Sequence, residues 1–398
     1  MERLFRWTFR IVAAVLLLAG LAIGVVYWLA WRSLPDYDAT EVVAGLTAPV
    51  EIVRNTYNVP HIFGETDADV FFGLGYAHAQ DRLWQMTLMR RTAQGKLSEL
   101  FGQRTLRTDE LLRRLGLYRA AVRSVAAQDD ETLAMLEAYS AGVNARIEVI
   151  NREARGRGAP EFFLFEPQIA PWQPADSIAI VKLMALQLSG QASEEVLRAR
   201  ASLILPEERL RDLHPDVPGK GKVVLASDLF PTLSQTQFAQ ADPEEDPFLW
   251  PVPRRGLSGA SNAFVVAAER AAAGGALLAN DPHMGLTAPT IFYLARLQLS
   301  TGGAIGGTIP GIPVVMVGRT NQLGWGLTSS YMDDQDVMME QLNPDDITQY
   351  RTPDGWADFE TERTIIKIKD AQPVTLTLRR SVNGPILTGR QFDLGTVT

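Results

Sequence analysis

The sequence predicts an α+β protein set behind one apolar N-terminal helix. Three observations carry that prediction. Ile11 to Trp31 is a run of 21 residues without a charge, residues from Asp67 to about 215 repeat their apolar positions at helical spacing, and after residue 260 the pattern turns to short strand-like runs. The bulk composition allows it: 398 residues, 46% hydrophobic and 21% charged, can bury a sizeable core.

The N-terminal run comes first. At about 1.5 Å per residue, a helix of that length crosses a hydrocarbon core of about 30 Å. Arg3, Arg6 and Arg10 precede it, which puts residues 1–10 in the cytoplasm and the rest of the chain across the membrane. Tyr27, Trp28 and Trp31 then fall at the outer interface. The expectation is a signal anchor over 11–31, with the remaining chain on the periplasmic side. A cleaved signal peptide is the alternative; the run is long for one, and no small-x-small site follows it.

Residues 32–49, with Pro35 and three acidic residues, read as a connector. Val50–Val53 and His61–Phe63 are short strands around the turn residues Asn55, Asn58 and Pro60. Asp67 or Asp69 caps a long helix whose Phe72, Tyr76, Ala79, Leu83 and Met86 share one face. Residues 105–155 continue as amphipathic helix, and residues 175–215 are helical again, interrupted at Pro206. Residues 50–215 therefore form a mostly helical region. Residues 216–260 change character: Pro, Gly, Asp and Glu dominate, as in the run Asp242 to Pro247, and this reads as a spacer. Strands are expected at Ala263–Ala267, Ala276–Leu278, Pro313–Val317, Thr364–Lys369 and Val374–Arg379. No clear terminal element follows Asn383–Leu387, so the 261–398 region is read as truncated.

Several function classes are excluded. A net charge of -8 and a pI near 5.2 argue against nucleic-acid binding. With no Cys there is no disulfide, thiolate metal site or Cys nucleophile. The four His residues lack HExxH-type spacing, so a His-ligated zinc site is not expected. No Gly-x-Ser-x-Gly elbow and no Ser-x-x-Lys signature is present.

The chemistry concentrates after the spacer. Gly259-Ala260-Ser261-Asn262 is an ordinary turn taken alone. Here, however, Ser261 opens an apolar strand directly after an exposed acidic segment, with small residues on its N-terminal side. That setting suits an N-to-O acyl shift in which Ser261 attacks Ala260 and the chain breaks. The freed α-amino group, with an ordinary pKa of about 7.7–8.0, can then serve as general base for its own hydroxyl. His283, in Asn280-Asp281-Pro282-His283-Met284, lies 22 residues after Ser261. A strand, a turn through Ala273-Gly274-Gly275 and a returning strand would bring it back beside Ser261; a turn His without a role is the bland alternative. Asp333-Asp334-Gln335-Asp336 suits a hard cation such as Ca²⁺, or is a solvated acidic loop.

Taken together, these segments resemble the penicillin acylase (penicillin amidase) family of N-terminal nucleophile hydrolases, from about Val50 onward. The resemblance rests on Val59-Pro60-His61-Ile62, on Gly75-Tyr76-Ala77-His78-Ala79-Gln80-Asp81-Arg82-Leu83, on Arg90-Arg91 and on Gly95 to Leu100. It continues through Ser261-Asn262, Leu278 to His283 and Gly324-Trp325-Gly326-Leu327-Thr328. The resemblance implies an αββα four-layer sandwich, incomplete here, built from two chains cut from one precursor at Ala260–Ser261, with residues 216–260 removed. It implies Ser261 as nucleophile, with Asn262 and His283 among the catalytic positions and the backbone N–H of Ser329 as an oxyanion donor. It places Met184, Leu188, Met284 and Val317 against substrate. It implies one Ca²⁺ held by Glu194, Asp333, Asp336 and the carbonyl of Gln335, and no organic cofactor. The family's second oxyanion donor, an Asn, falls beyond Thr398. The implied activity is hydrolysis of a linear amide, on a β-lactam side chain or an N-acyl homoserine lactone. A membrane-tethered, non-catalytic binding protein, or an inactive fragment, that keeps the fold is the competing reading.

Overall fold

In the computed structural model the described residues are 2–152, 158–165, 169–189, 191–202, 205–206, 208–210, 261–284, 287–329 and 335–387. The first half carries α1 (Glu2–Ser33), β1 (Glu51–Arg54), β2 (Pro60–Phe63), α2 (Asp67–Gln94), α3 (Ser98–Phe101), α4 (Leu106–Leu115), α5 (Leu117–Val125), α6 (Asp130–Arg152), α7 (Glu161–Leu164), α8 (Pro174–Leu188) and α9 (Gln191–Ser202). The second half carries β3 (Ser261–Val266), β4 (Leu277–Pro282), β5 (Tyr293–Leu299), β6 (Gly302–Ile309), β7 (Ile312–Arg319), β8 (Gly324–Trp325), β9 (Gln349–Thr352), β10 (Gly355–Asp358), β11 (Glu360–Ile366), β12 (Val374–Ser381) and β13 (Gly384–Pro385). Helix and sheet are thus mixed, with the strands concentrated in the second half. The expected spacer, 216–260, lies outside the described residues. Helix α1 is exposed along nearly all its length and is long and apolar enough to be a membrane span or a signal sequence.

The chain divides into two compact units. The first comprises Met1–Leu88, Ala127–Ser177 and Leu286–Gly326; the second comprises Met89–Ala126, Ile178–Gly285 and Leu327–Thr398.

In the first unit a six-stranded sheet runs β1-β2-β5-β6-β7-β8. Its pairs are antiparallel except β2 with β5, where His61 sits opposite Arg296. Thr66 caps the start of helix α2: its hydroxyl accepts from the Asp69 N–H at 3.1 Å and donates to the Asp69 carboxylate at 2.6 Å. Desolvation opposes ionisation of Asp69, yet hydrogen bonds from Thr47 and Thr66 outweigh it and hold the carboxyl at about 2. The single apolar face expected for this helix is not what forms. Val70, Leu74 and Ala77 are as buried as Phe72 and Met86, so α2 is covered on several sides, a burial that a one-face spacing understates.

A directional hydrogen-bond chain runs through this unit. The Gly311 N–H donates to the Tyr139 hydroxyl at 2.9 Å, and the Thr308 hydroxyl donates to the Tyr293 carbonyl at 2.7 Å. Tyr139 must then donate to His78 Nδ1 (2.8 Å), and His78 Nε2–H to the Thr308 oxygen (2.9 Å). Both ring nitrogens are used, so the imidazole is neutral and has no lone pair left for a proton. Complete burial, reinforced by the positive charge of Arg82, lowers its pKa to about 3. In an unfolded chain the imidazole titrates near 6.5. Between those two values the unfolded state binds a proton that the folded state refuses. Stability therefore falls as pH drops below about 6.5, by at most about 1.4 kcal/mol per pH unit. Urea unfolding from pH 7.5 to 5 is expected to show this slope in the native protein. His78→Asn should lose about 2 kcal/mol at neutral pH and show a shallower acid slope; an equal slope in both would remove His78 as its source.

In the second unit, Ala93, Leu112, Ala121, Ala179 and Leu183 form one apolar cluster. Leu106, Ile366, Ile368 and Leu376 form another, beneath the sheet β11-β12-β13. The amphipathic helix expected over 105–155 is three helices. Gly116, at φ 69, ends α4 in the left-handed conformation, and a second break separates α5 from α6. The buried carboxylate of Asp109 receives the N–H groups of Leu97 and Ser98 at 2.9 and 2.7 Å, which fixes the turn into α3.

Candidate active site

Strands β3 and β4 form an antiparallel hairpin. Its turn passes through Gly274, at φ 70, a conformation that glycine adopts without strain. The apolar run after Ser261 and the Ala273-Gly274-Gly275 turn are what the sequence supplies for this hairpin, and it forms. Ser261 pairs with Pro282 and Asn262 with Asp281, so His283 follows directly on the residue opposite Ser261. Ser261 is half-buried, while Asn262 is exposed. The bond before Ser261 leads to Ala260, which lies outside the described residues.

His283 does not stand alone. Its Nε2 lies 2.8 Å from the Asp281 carboxylate. Residues 281 and 283 are two apart, and a period of two puts them on the same side of an extended segment. Asp281 remains largely exposed, so water weakens this pair, but it still orients the ring and leaves Nδ1 as the group unused by Asp281.

Asn280 joins the hairpin to the segment after β8. Its Nδ2 donates to the carbonyls of Asn262 (2.9 Å) and Leu327 (3.1 Å), and its Oδ1 accepts from the Leu327 N–H (3.1 Å). Two residues beyond Leu327 comes half-buried Ser329, whose N–H the sequence analysis nominates for an oxyanion. No sequence pattern singled out Asn280; its one signal was its place in the Asn280-Asp281-Pro282-His283 block.

Met184 and Leu188 lie one turn apart on α8, half-buried and exposed respectively, and half-buried Met284 follows His283 in the same unit. Val317 belongs to β7 of the other unit, opposite Gly307. Of the nominated cation ligands, Gln335 and Asp336 are described, Asp333 lies outside the described residues, and of Glu194 the description extends only to its backbone in α9. The segment carrying Gln335 and Asp336 is tied to α9. The Val337 N–H donates to the Glu195 carboxylate at 2.6 Å, and the Ala192 N–H to Gln335 Oε1 at 3.3 Å. Among the described residues no cluster of three His, Cys, Asp or Glu side chains forms.

Over residues 49–397 the chain matches the family model described as Penicillin amidase. Similar curated proteins include the Penicillin acylase 2 proenzyme of a Pseudomonas species, 29% identical over 371 residues, covering 92% of this chain and 47% of that protein. Acyl-homoserine lactone acylase QuiP of Pseudomonas aeruginosa is 29% identical over 388 residues, covering 93% of this chain and 44% of that protein. Among solved structures, a thermostable Penicillin G acylase from Alcaligenes faecalis is 28% identical with a TM-score of 0.38, covering 45% of this chain and 98% of that one. The chain spans a little under half the length of the curated relatives it matches.

Proposed function

Starting from a chain that belongs to the penicillin amidase family, we propose an acylase that cuts itself before Ser261 and then hydrolyses linear amides with that residue. The observation that carries the reading is the register of the hairpin, in which Ser261 opens β3 and His283 follows its partner Pro282. In maturation the Ser261 hydroxyl attacks the Ala260 carbonyl carbon, the peptide C–N bond breaks, and an ester forms. Water hydrolyses the ester, leaving an Ala260 carboxylate and a free α-amine on Ser261. In turnover that amine takes the proton from Ser261 Oγ as the oxygen attacks the substrate carbonyl. The Ser329 N–H stabilises the oxyanion, the leaving amine departs with the proton, and water releases the acid. His283, oriented by Asp281, holds the polar side of this site.

The family reading extends to an αββα sandwich assembled as an α/β heterodimer, anchored by residues 11–31 with the site on the periplasmic side. Its substrates would be acyl amides of the β-lactam or N-acyl homoserine lactone type, the two classes named in the relatives. Met184, Leu188 and Met284 would contact the acyl group. A Ca²⁺ ion fits the donor set Glu194, Asp333, Asp336 and the Gln335 carbonyl, which is all oxygen; the two hydrogen bonds between α9 and residues 335–337 support that fit. Bound there, it would supply structural charge neutralisation.

The test is chemical. Intact-mass analysis of purified full-length protein should reveal a new N-terminus at Ser261. Carbamylation near pH 6.5, which turns an amine into a non-basic urea, favours an α-amine of pKa about 7.7–8.0 over lysines near 10.4. Blocking Ser261 in this way is expected to lower the hydrolysis rate at least about 100-fold. A fully modified Ser261 with an unchanged rate would remove the amine from the mechanism.

A further inference from the structure

We infer that Asn280 is a positioning residue which sets the spacing between the nucleophile strand and the oxyanion segment, an inference that rests on the hydrolase reading of Ser261. A primary amide has one acceptor oxygen and two N–H donors, and here the oxygen and the nitrogen are both committed across one gap. On one side Nδ2 holds the Asn262 carbonyl, the first carbonyl after the nucleophile's own. On the other, Nδ2 and Oδ1 engage both backbone groups of Leu327, pairing with that residue as a strand's peptide group would. The amide orientation follows from its partners, since a flipped side chain would set an N–H group against the Leu327 N–H and Oδ1 against two carbonyls.

The lever is short. Ser329 is two residues past Leu327, and at about 3.3–3.6 Å per residue a displacement of Leu327 carries to the Ser329 N–H with little slack. Each bond adds modestly to stability. The catalytic consequence is larger, because an oxyanion donor works only within a narrow distance of the developing charge. No other described hydrogen bond joins β3 or β4 to the 327–329 segment.

Asn280→Ala removes all three contacts. Asn280→Asp keeps an acceptor for Leu327 and puts carboxylate oxygen against the two carbonyls. Both are made in the full-length protein, with Ser261→Ala in parallel. The expected result for both Asn280 variants is a kcat lower by about 100-fold, KM within about threefold and a thermal midpoint lowered by no more than about 10 °C, so that both remain folded at the assay temperature. In Asn280→Ala, hydrogen exchange of the Leu327 amide should also accelerate at least about tenfold. A kcat within threefold of wild type overturns the inference, as does a loss that tracks a fall in the folded fraction. Turnover that survives Ser261→Ala sinks the hydrolase reading instead. Leu327 exchange needs no turnover, and in that event an unchanged rate in Asn280→Ala still overturns the tether itself.

Discussion

Ser261→Ala is expected to abolish maturation and turnover together. One oxygen serves both steps, first against the Ala260 carbonyl and then against substrate. The variant should migrate as a single uncut chain, and hydrolysis of a chromogenic amide should drop by about 10⁶-fold, the scale seen when a serine nucleophile is deleted. Ser261→Cys separates the two steps. A thiol still attacks the preceding carbonyl, so the chain should be cut, while turnover slows because the sulfur is differently placed and differently basic. The competing, non-catalytic reading predicts something else: a wild-type protein that is itself uncut and inactive, indistinguishable from Ser261→Ala. Intact mass and one amide assay on three proteins decide between them. Amide hydrolysis persisting in the Ala variant would move the chemistry away from the start of β3.

The same hairpin marks how far the sequence alone carried. A β-rich run opening at Ser261 and a Gly-Gly turn are local features, so β3, β4 and the return of His283 to Ser261 could be read directly. Strands β5 and β6 could not. Gly302-Gly303-Ala304-Ile305-Gly306-Gly307 looks like loop composition, because glycine packs no side chain in a strand. The reason for those glycines lies across the sheet: a Cβ at Gly306 would meet Gly318 Cα at 2.6 Å, and one at Gly318 would meet Gly306 Cα at 3.0 Å. Close backbone approach between β6 and β7 selects glycine there, and that is a tertiary fact. The helix break at Gly116 escapes the pattern for a related reason: an amphipathic pattern continues through a left-handed residue without a change of period. At the site, the nearness of His283 to Ser261 could be read from pattern and spacing, while their catalytic roles rest on the family resemblance. Ser329 and Glu194 entered only through family resemblance, because a backbone donor and a lone carboxylate leave no local signature. Asn280 needed coordinates, since its partners lie 18 and 47 residues away.

Glycine also sets the largest expected stability effect. Helices α2 and α6 cross at two reciprocal points. A Cβ added at Gly142 would stand 2.7 Å from the Phe72 carbonyl carbon and closer still to its oxygen; one added at Gly75 would stand 3.0 Å from the Tyr139 carbonyl carbon and closer still to its oxygen. Both obstacles are helix backbone, which cannot swing aside as a flexible side chain would. The helices must separate, opening voids around Leu74, Ala77 and Val143, all fully buried. Gly142→Ala and Gly75→Ala are therefore each expected to cost about 3 kcal/mol in urea unfolding, against a gain in helix propensity of about 1 kcal/mol that works the other way. The double variant should cost less than the sum, because the first substitution already parts the same interface. Tyr139 is the residue behind the Gly75 contact and the donor to His78, so the separation should also loosen that hydrogen-bond chain and flatten the acid dependence of stability. Gly275→Ala, where nothing lies within 4 Å, is the control and should change stability by less than about 0.5 kcal/mol. Gly142→Ala as stable as that control would mean that the two helices do not meet backbone to backbone.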